Sequence, residues 1–306
     1  AVTANAGEMS VAGTAKIAVE HINGGAASAG KSWSMGNQLT FSGSGDLDNG
    51  MNVSMSFVLD QGDDETDTTT GAPNSPFDSH SVSIGMDGMG TLTFSGEGGD
   101  SAVGAMDGSA AGGMWDNFQA AADEPESGHS SNDMLSYALP SILDDLALVA
   151  SYTPNGDGGA DSSTSFSATY TGVENLTLAY GQGEDNKATL TADATAWKVS
   201  YSYDAFTVTA TDLEYDHETA TSSRDMSSFA VSYLLPGDAI SIGYGEEEIK
   251  DGSASSEKAE FKGFDVSYTA GGMTVKAYAQ EAENISYSTT ATEDQEVWAV
   301  NATFAF

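Results

Sequence analysis

Adjacent carboxylates recur along this chain, at Asp63-Asp64, Asp123-Glu124 and Asp144-Asp145. Two carboxyl groups held across a cleft are the machinery of glycoside hydrolysis. With 46 acidic side chains among 306 residues, however, such pairs arise by chance and assign no catalysis on their own. His21, His80, His129 and His217 are scattered, with no i, i+4 pair and no His-Glu-x-x-His run to hold a zinc ion. Neither a Gly-x-Ser-x-Gly elbow nor a phosphate loop is present. The run from Asn155 to Asp161 has the glycines and oxygens of a calcium loop without EF-hand spacing, and reads as a turn. The methionines near Gly85 to Gly90, with Met106 and Met114, read as apolar filler rather than a copper site. No catalytic residue and no enzyme are expected.

The carboxylates gather instead in residues 96–133, where Glu97, Asp100, Asp107, Asp116, Asp123, Glu124, Glu126 and Asp133 occur without a Lys or Arg. A loop this long inside a compact protein is functional or disordered. This one carries Trp115, Phe118 and Ala120 to Ala122, which could form a short helix, so it is expected to pack. If the flanking strands close into a barrel, the place for a packed acidic loop is inside. Crowded like charges also recruit divalent ions, so Asp107 and Asp116 are the expected place for a Ca²⁺ or Mg²⁺ ion, with no cofactor required.

The elements around this loop are strands. The chain has 35 Gly, 6 Pro, no Cys, 9 basic residues and a formal net charge of −37. Absence of cysteine excludes disulfide frameworks and thiolate metal sites, and the charge argues against a nucleic-acid partner. Four Trp, 12 Tyr and 12 Phe at intervals of two distinguish it from an acidic disordered chain. No apolar run is long enough for a transmembrane helix. The first residues lack a basic and apolar leader, so any export signal is expected to have been removed. Sixteen alternating segments are expected, beginning at residues 9–19 and ending at 295–306. Short turns (Asp-Asn-Gly, Asp-Gly, Glu-Asn, Asp-Ala, Pro-Gly-Asp, Gly-Gly) alternate with longer polar loops, as in outer-membrane barrels. In the last strand Trp298, Val300, Ala302, Phe304 and Phe306 share one face, and Trp197, Val199, Tyr201 and Tyr203 another. The opposite faces are small and polar, as expected of a wet lumen.

The chain resembles the general trimeric porins of Gram-negative bacteria, in particular the alphaproteobacterial type. The residues that carry the resemblance are Ser10 to Lys16, the hairpin Gly43 to Gly50 leading into Met51, the Asp87-Gly88 hairpin that enters the long loop, and Asn301 to Phe306. The resemblance implies an all-β, 16-stranded antiparallel transmembrane barrel, one domain over residues 1–306, with 97–133 as a third loop folded inward to constrict the pore. It also implies an outer-membrane location, a homotrimer, surrounding lipid and lipopolysaccharide, and passive passage of small hydrophilic solutes. Phe304 and Phe306 would be the signal read by barrel assembly machinery. The constriction would comprise Glu97, Asp100, Asp107, Asp116, Asp123 and Glu124, faced by Lys16.

Gln38, Ser56, Lys198 and Lys276 would line the lumen wall, so most of the basic half of the family's constriction is missing. Uncompensated carboxylates in a watery constriction concentrate cations, and cation preference is expected. The alternatives are a soluble, secreted acidic all-β carbohydrate-binding or surface protein, and a polysaccharide hydrolase.

Overall fold

The computed structural model describes residues 7–25, 30–60, 78–106, 108–118, 132–154, 162–187, 190–219, 223–237, 239–252, 257–287 and 294–306. Sixteen antiparallel strands follow one another in space as in sequence and close into a barrel, β1 pairing with β16. They are β1 (Glu8–Gly24), β2 (Gly30–Asp46), β3 (Asn52–Asp60), β4 (Ser79–Met86), β5 (Gly90–Glu97), β6 (Met134–Ala138), β7 (Leu146–Thr153) and β8 (Ser163–Val173). The second half comprises β9 (Leu176–Lys187), β10 (Leu190–Tyr203), β11 (Phe206–His217), β12 (Arg224–Leu234), β13 (Ile240–Asp251), β14 (Ala259–Ala270), β15 (Met273–Glu283) and β16 (Gln295–Ala305).

Closure leaves no free sheet edge, which removes the unpaired N–H and C=O groups that an open sheet exposes. The seam is held past the last strand residue, where Gly13 and Phe306 exchange backbone hydrogen bonds of 2.8 and 3.0 Å. A side chain at Gly13 would begin 2.5 Å from the Phe306 ring, so glycine there makes room for the terminal aromatic.

One end of the barrel has tight turns. Asn175 and Asp204 take φ of 61° and 54° in the Glu-Asn and Asp-Ala hairpins, as two-residue turns of this kind demand. The other end carries the longer connections, with one departure from expectation. Strands β9 and β10 run on to Lys187 and Leu190, which pair directly, so only residues 188–189 separate them. The expected seven-residue loop is instead strand, because the ladder extends well above its neighbours' turns.

Register assigns the faces. Outward residues on β14 run Tyr268, Val266, Phe264, Lys262, Glu260, and on β16 run Phe304, Ala302, Val300, Trp298, Glu296. From the turn end each strand thus passes from aromatic through aliphatic to aromatic, and then to charge, Lys262 and Glu260 on β14 and Glu296 on β16. Phe264, Val266, Tyr268, Trp298, Val300 and Phe304 are all exposed on this surface. Every strand from β9 to β16 has an outward carboxylate near the loop end, among them Glu184, Asp193, Glu214, Asp225, Glu248, Glu260, Glu281 and Glu296. Outward positions of β1 to β4 carry none among the described residues.

The inner faces correct the expected uniformly small and polar lumen. On β2 to β8 they are Ser and Thr with few exceptions, but near the loop end of β11 to β16 they carry Leu213, Met226, Ile249, Phe261 and Val297, all buried. On these strands the hydrophobic phase inverts along the strand. Phe229 and Ser228 are outward and inward, whereas at the next pair up Met226 is inward and Asp225 outward. The change marks where the outer surface leaves an apolar environment while the inner surface gains a protein cover.

Replacing Gly13 with Val should disrupt the seam by overpacking at a cost of about 1–3 kcal/mol. Urea unfolding of the detergent-folded barrel should show a lowered midpoint, and an unchanged midpoint would mean that the Phe306 ring sits elsewhere.

Candidate functional site

The cover over the inner wall is the connection between β5 and β6. Its two ends meet where Gly98 N–H donates to Asn132 Oδ1 at 3.2 Å and Asp133 N–H to the Gly96 carbonyl at 3.3 Å. From this base the chain turns into the barrel. Ala102 N–H donates to Ser151 Oγ on β7 at 3.0 Å, and Val103 N–H to Ser165 Oγ on β8 at 3.3 Å. A single 3-10 turn at Gly104–Met106 follows. Ala110 N–H is then shared by Thr211 Oγ1 on β11 and Ser228 Oγ on β12, at 2.9 and 2.8 Å.

The next contact is a carboxylate. Glu247 on β13, with 1% of its surface exposed, accepts from Gly113 N–H at 2.9 Å, from Met114 N–H at 2.7 Å and from the Ser109 hydroxyl. Thr211, Ser228 and Glu247 are register partners, so they form one shelf across β11 to β13. Gly113 takes φ 69° and opens a second 3-10 turn at Met114–Asn117, whose first N–H groups therefore meet an anion. A buried carboxylate without a cation is tolerable when several N–H and O–H donors converge on it. Gly245, two residues before Glu247, allows the approach, because a side chain there would lie 2.6 Å from Ala111 Cβ.

Apolar packing completes the anchorage. Val103, Met114, Trp115 and Phe118 are buried against Ala196, Leu213, Met226, Ile249 and Phe261, with the Phe118 and Phe261 ring centroids 5.6 Å apart. Each such ring or chain contributes about 1.5–3 kcal/mol on burial. At the far end Asn117 donates to Gln280 Oε1 and accepts from the Tyr278 hydroxyl, both on β15 at 3.0 Å. A second connection also turns inward, since Ile285 is buried in the same cluster and the Arg224 guanidinium lies 5.4 Å above the Tyr287 ring.

Residues 101–106 and 108–118 therefore line the inner wall from β7 round to β15 and leave the passage between themselves and the inner faces of β16 and β1 to β5. Asp100 and Asp116 are exposed, Asp116 beside the wall-buried Met114 and Trp115 and so turned from the wall. Glu97 is the last residue of β5, in register with His80 across a bulge, so it stands on the strand wall at the loop's base. Asp107, Asp123, Glu124 and the three alanines at 120–122 lie outside the described residues. Across the passage, Lys16, Gln38 and Ser56 occupy inward register positions on β1, β2 and β3. Lys198 faces inward on β10, and Lys276 on β15 has its Nζ 3.9 Å from Asp265. No group of three or more His, Asp or Glu side chains suited to a metal ion occurs among the described residues.

An internal loop pinned across the lumen of a closed antiparallel barrel, with an apolar outer belt, defines a constricted channel. A model of the Gram-negative porin family matches residues 1–262, and the chain belongs to that family. It is an outer-membrane porin. Solved structures share the fold at low identity. The anion-selective porin from Comamonas acidovorans superposes with a TM-score of 0.74 at 14% identity, covering 98% of this chain and 100% of that one. A mutant of the Rh. blastica porin gives 0.68 at 15% identity, over 98% and 100% of the chains. The trimer form of OmpT from Vibrio cholerae gives 0.68 at 11%, over 99% and 100%. No match was found among curated proteins.

Sequence reasoning found the loop and missed its principal wall anchor. Glu247 was legible only as a strand-end acid, although its inward alternation with Gly243 and Gly245 is the mark of a close backbone approach. Replacing Glu247 with Ala leaves the Gly113 and Met114 N–H groups without their acceptor, which costs about 3 kcal/mol or more. Limited proteolysis should then cut the loop in the folded barrel, and single-channel current should become noisier. Resistance and noise equal to wild type would remove Glu247 as the anchor.

Proposed function

We propose that the pore prefers cations and passes small hydrophilic solutes down their gradients. The observation that carries this reading is the exposure of Asp100 and Asp116 on the inward loop opposite a wall of mostly hydroxyl and amide groups, with Lys16 as its cation. The other wall lysines add little anion attraction. Lys276 is beside Asp265, while Lys198 lies on the loop-covered side of the barrel. Outside the lumen, Lys258 is bonded to Glu248, whose carboxylate raises the pKa of the ammonium above its ordinary value. With a net charge of −37, the remaining field favours cations throughout. The fold does not set the sign, since a neighbour of the same architecture is described as anion-selective.

The protomers associate as a homotrimer through the outer faces of β1 to β4. These faces lack the loop-end carboxylates that β9 to β16 present, and they carry exposed Trp33, Met35 and Met55 with a stacked Phe41–Phe57 pair at 4.7 Å. A face free of headgroup-level carboxylates suits a protein partner. Phe304 and Phe306 at the end of β16 serve as the mark engaged by barrel assembly machinery.

Two measurements test these statements. In planar bilayers under a salt gradient, the Asp100→Asn, Asp116→Asn double variant should lower the cation-to-anion permeability ratio by at least about twofold. An unchanged reversal potential would exclude both residues from selectivity. Met35→Glu should convert the detergent-stable trimer to monomers with conductance per barrel retained, and a persisting trimer would place the interface elsewhere.

A further inference from the structure

Where β16, β1 and β2 wall the passage, one strand carries inward charges of both signs. Glu20, Ala18 and Lys16 are successive inward residues of β1. Glu20 pairs in register with Ala299 of β16, which pairs with Tyr278 of β15, the tyrosine whose hydroxyl donates to Asn117 at the far end of the loop. The Glu20 carboxylate stands within electrostatic reach of that hydroxyl. Glu20 therefore lies at the height where the loop meets the wall, which is the narrow section of the passage. A 2.9 Å hydrogen bond from Ser32 Oγ holds one of its oxygens. Lys16 is exposed, and no described carboxylate forms an ion pair with it.

The spacing and the floor between the two charges define what fits. Extended chain places the Glu20 and Lys16 backbones about 13 Å apart along β1. For side chains directed across the lumen, with a hydrogen bond of about 3 Å at each end, the gap takes a solute whose opposite charges are about 7 Å apart. An extended dipeptide with free termini has that span, whereas a single α-amino acid is too short to reach both and a simple cation meets only Glu20. The floor is low, because the inward neighbours are Ala18 on β1 and Ser34 and Gly36 on β2, and a side chain at Gly36 would meet nothing within 4 Å. On the other flank Asn301 of β16 is the register partner of both Ala18 and Lys276. A carboxamide thus stands midway between the charges, level with a peptide group that bridges them.

We propose that Glu20 and Lys16 make the constriction selective for short zwitterionic peptides. The peptide ammonium meets Glu20, its carboxylate meets Lys16, and its amide group meets Asn301. Two weak contacts on one solute raise its concentration at the narrow section without holding it there, which is the condition for faster flux. The proposal rests on the porin reading, with the passage open along β16 and β1. It does not depend on the sign of the ion preference, because the solute carries no net charge.

The test is swelling of liposomes that hold the folded barrel, in isotonic glycylglycine and in isotonic N-acetylglycinamide, an uncharged molecule of similar size. The ratio of the two entry rates cancels differences in insertion. Wild type should admit the dipeptide about threefold faster, the scale of two solvent-exposed ion pairs. Lys16→Gln and Glu20→Gln should each abolish the preference, and the exchanged variant Lys16→Glu, Glu20→Lys should restore it, because the reversed pair accepts the reversed peptide. Equal rates in wild type, or an undiminished ratio in either single variant, would overturn the proposal. The two readings fail separately: entry of N-acetylglycinamide without dipeptide preference sinks the peptide selectivity alone, whereas folded barrels that admit neither solute sink the porin reading.

Discussion

The structure depends on one constraint: backbone N–H groups taken into a barrel interior must find acceptors. The loop between β5 and β6 is too irregular to satisfy its own, and the wall supplies them at fixed heights. Ser151, Ser165, Thr211 and Ser228 each take a loop N–H, and Glu247 takes two together with a hydroxyl. Because Thr211, Ser228 and Glu247 fall in one register row, the loop is held level across three strands. The apolar cluster of Met114, Trp115 and Phe118 against Phe261 and Ile249 then excludes water from these bonds, which strengthens them.

This anchorage sorts the charges. One acid, Glu247, is consumed in holding the loop, whereas Asp100 and Asp116 on the loop itself stay exposed. Across from the loop the inner faces of β2 to β4 offer mainly hydroxyls, the arrangement from which the cation preference is proposed. On the outside, the same economy of cations leaves a belt of carboxylates on β9 to β16 above the aromatic rows.

Much of the barrel was readable from alternation, because a strand with lipid on one side and water on the other has period two along its length. The outward assignments of Trp197, Trp298 and Phe264 held for that reason. What alternation could not deliver by a single rule was the upper half of β11 to β16. There, Thr211-Asp-Leu-Glu-Tyr215 keeps the period but inverts its phase, placing Leu213 and Tyr215 inside and Asp212 and Glu214 outside. The inversion is visible in the sequence, but its meaning requires knowing that the loop covers that wall. Loop contacts such as Asn117 with Tyr278 and Gln280 join residues some 160 positions apart, and no local pattern encodes them.

The inward seating of the loop is the claim on which the channel reading turns, and the absence of native cysteine allows a clean probe. Ala110 N–H lies 2.8 Å from Ser228 Oγ, so cysteines at the two positions are in one loop–wall contact and within the span of a short bifunctional thiol cross-linker. In the Ala110→Cys, Ser228→Cys variant, such a cross-linker should join the pair readily and leave single-channel conductance unchanged, because the loop already rests on the wall. A pair that cannot be linked in the folded barrel, or a conductance that changes markedly when the link forms, would contradict it.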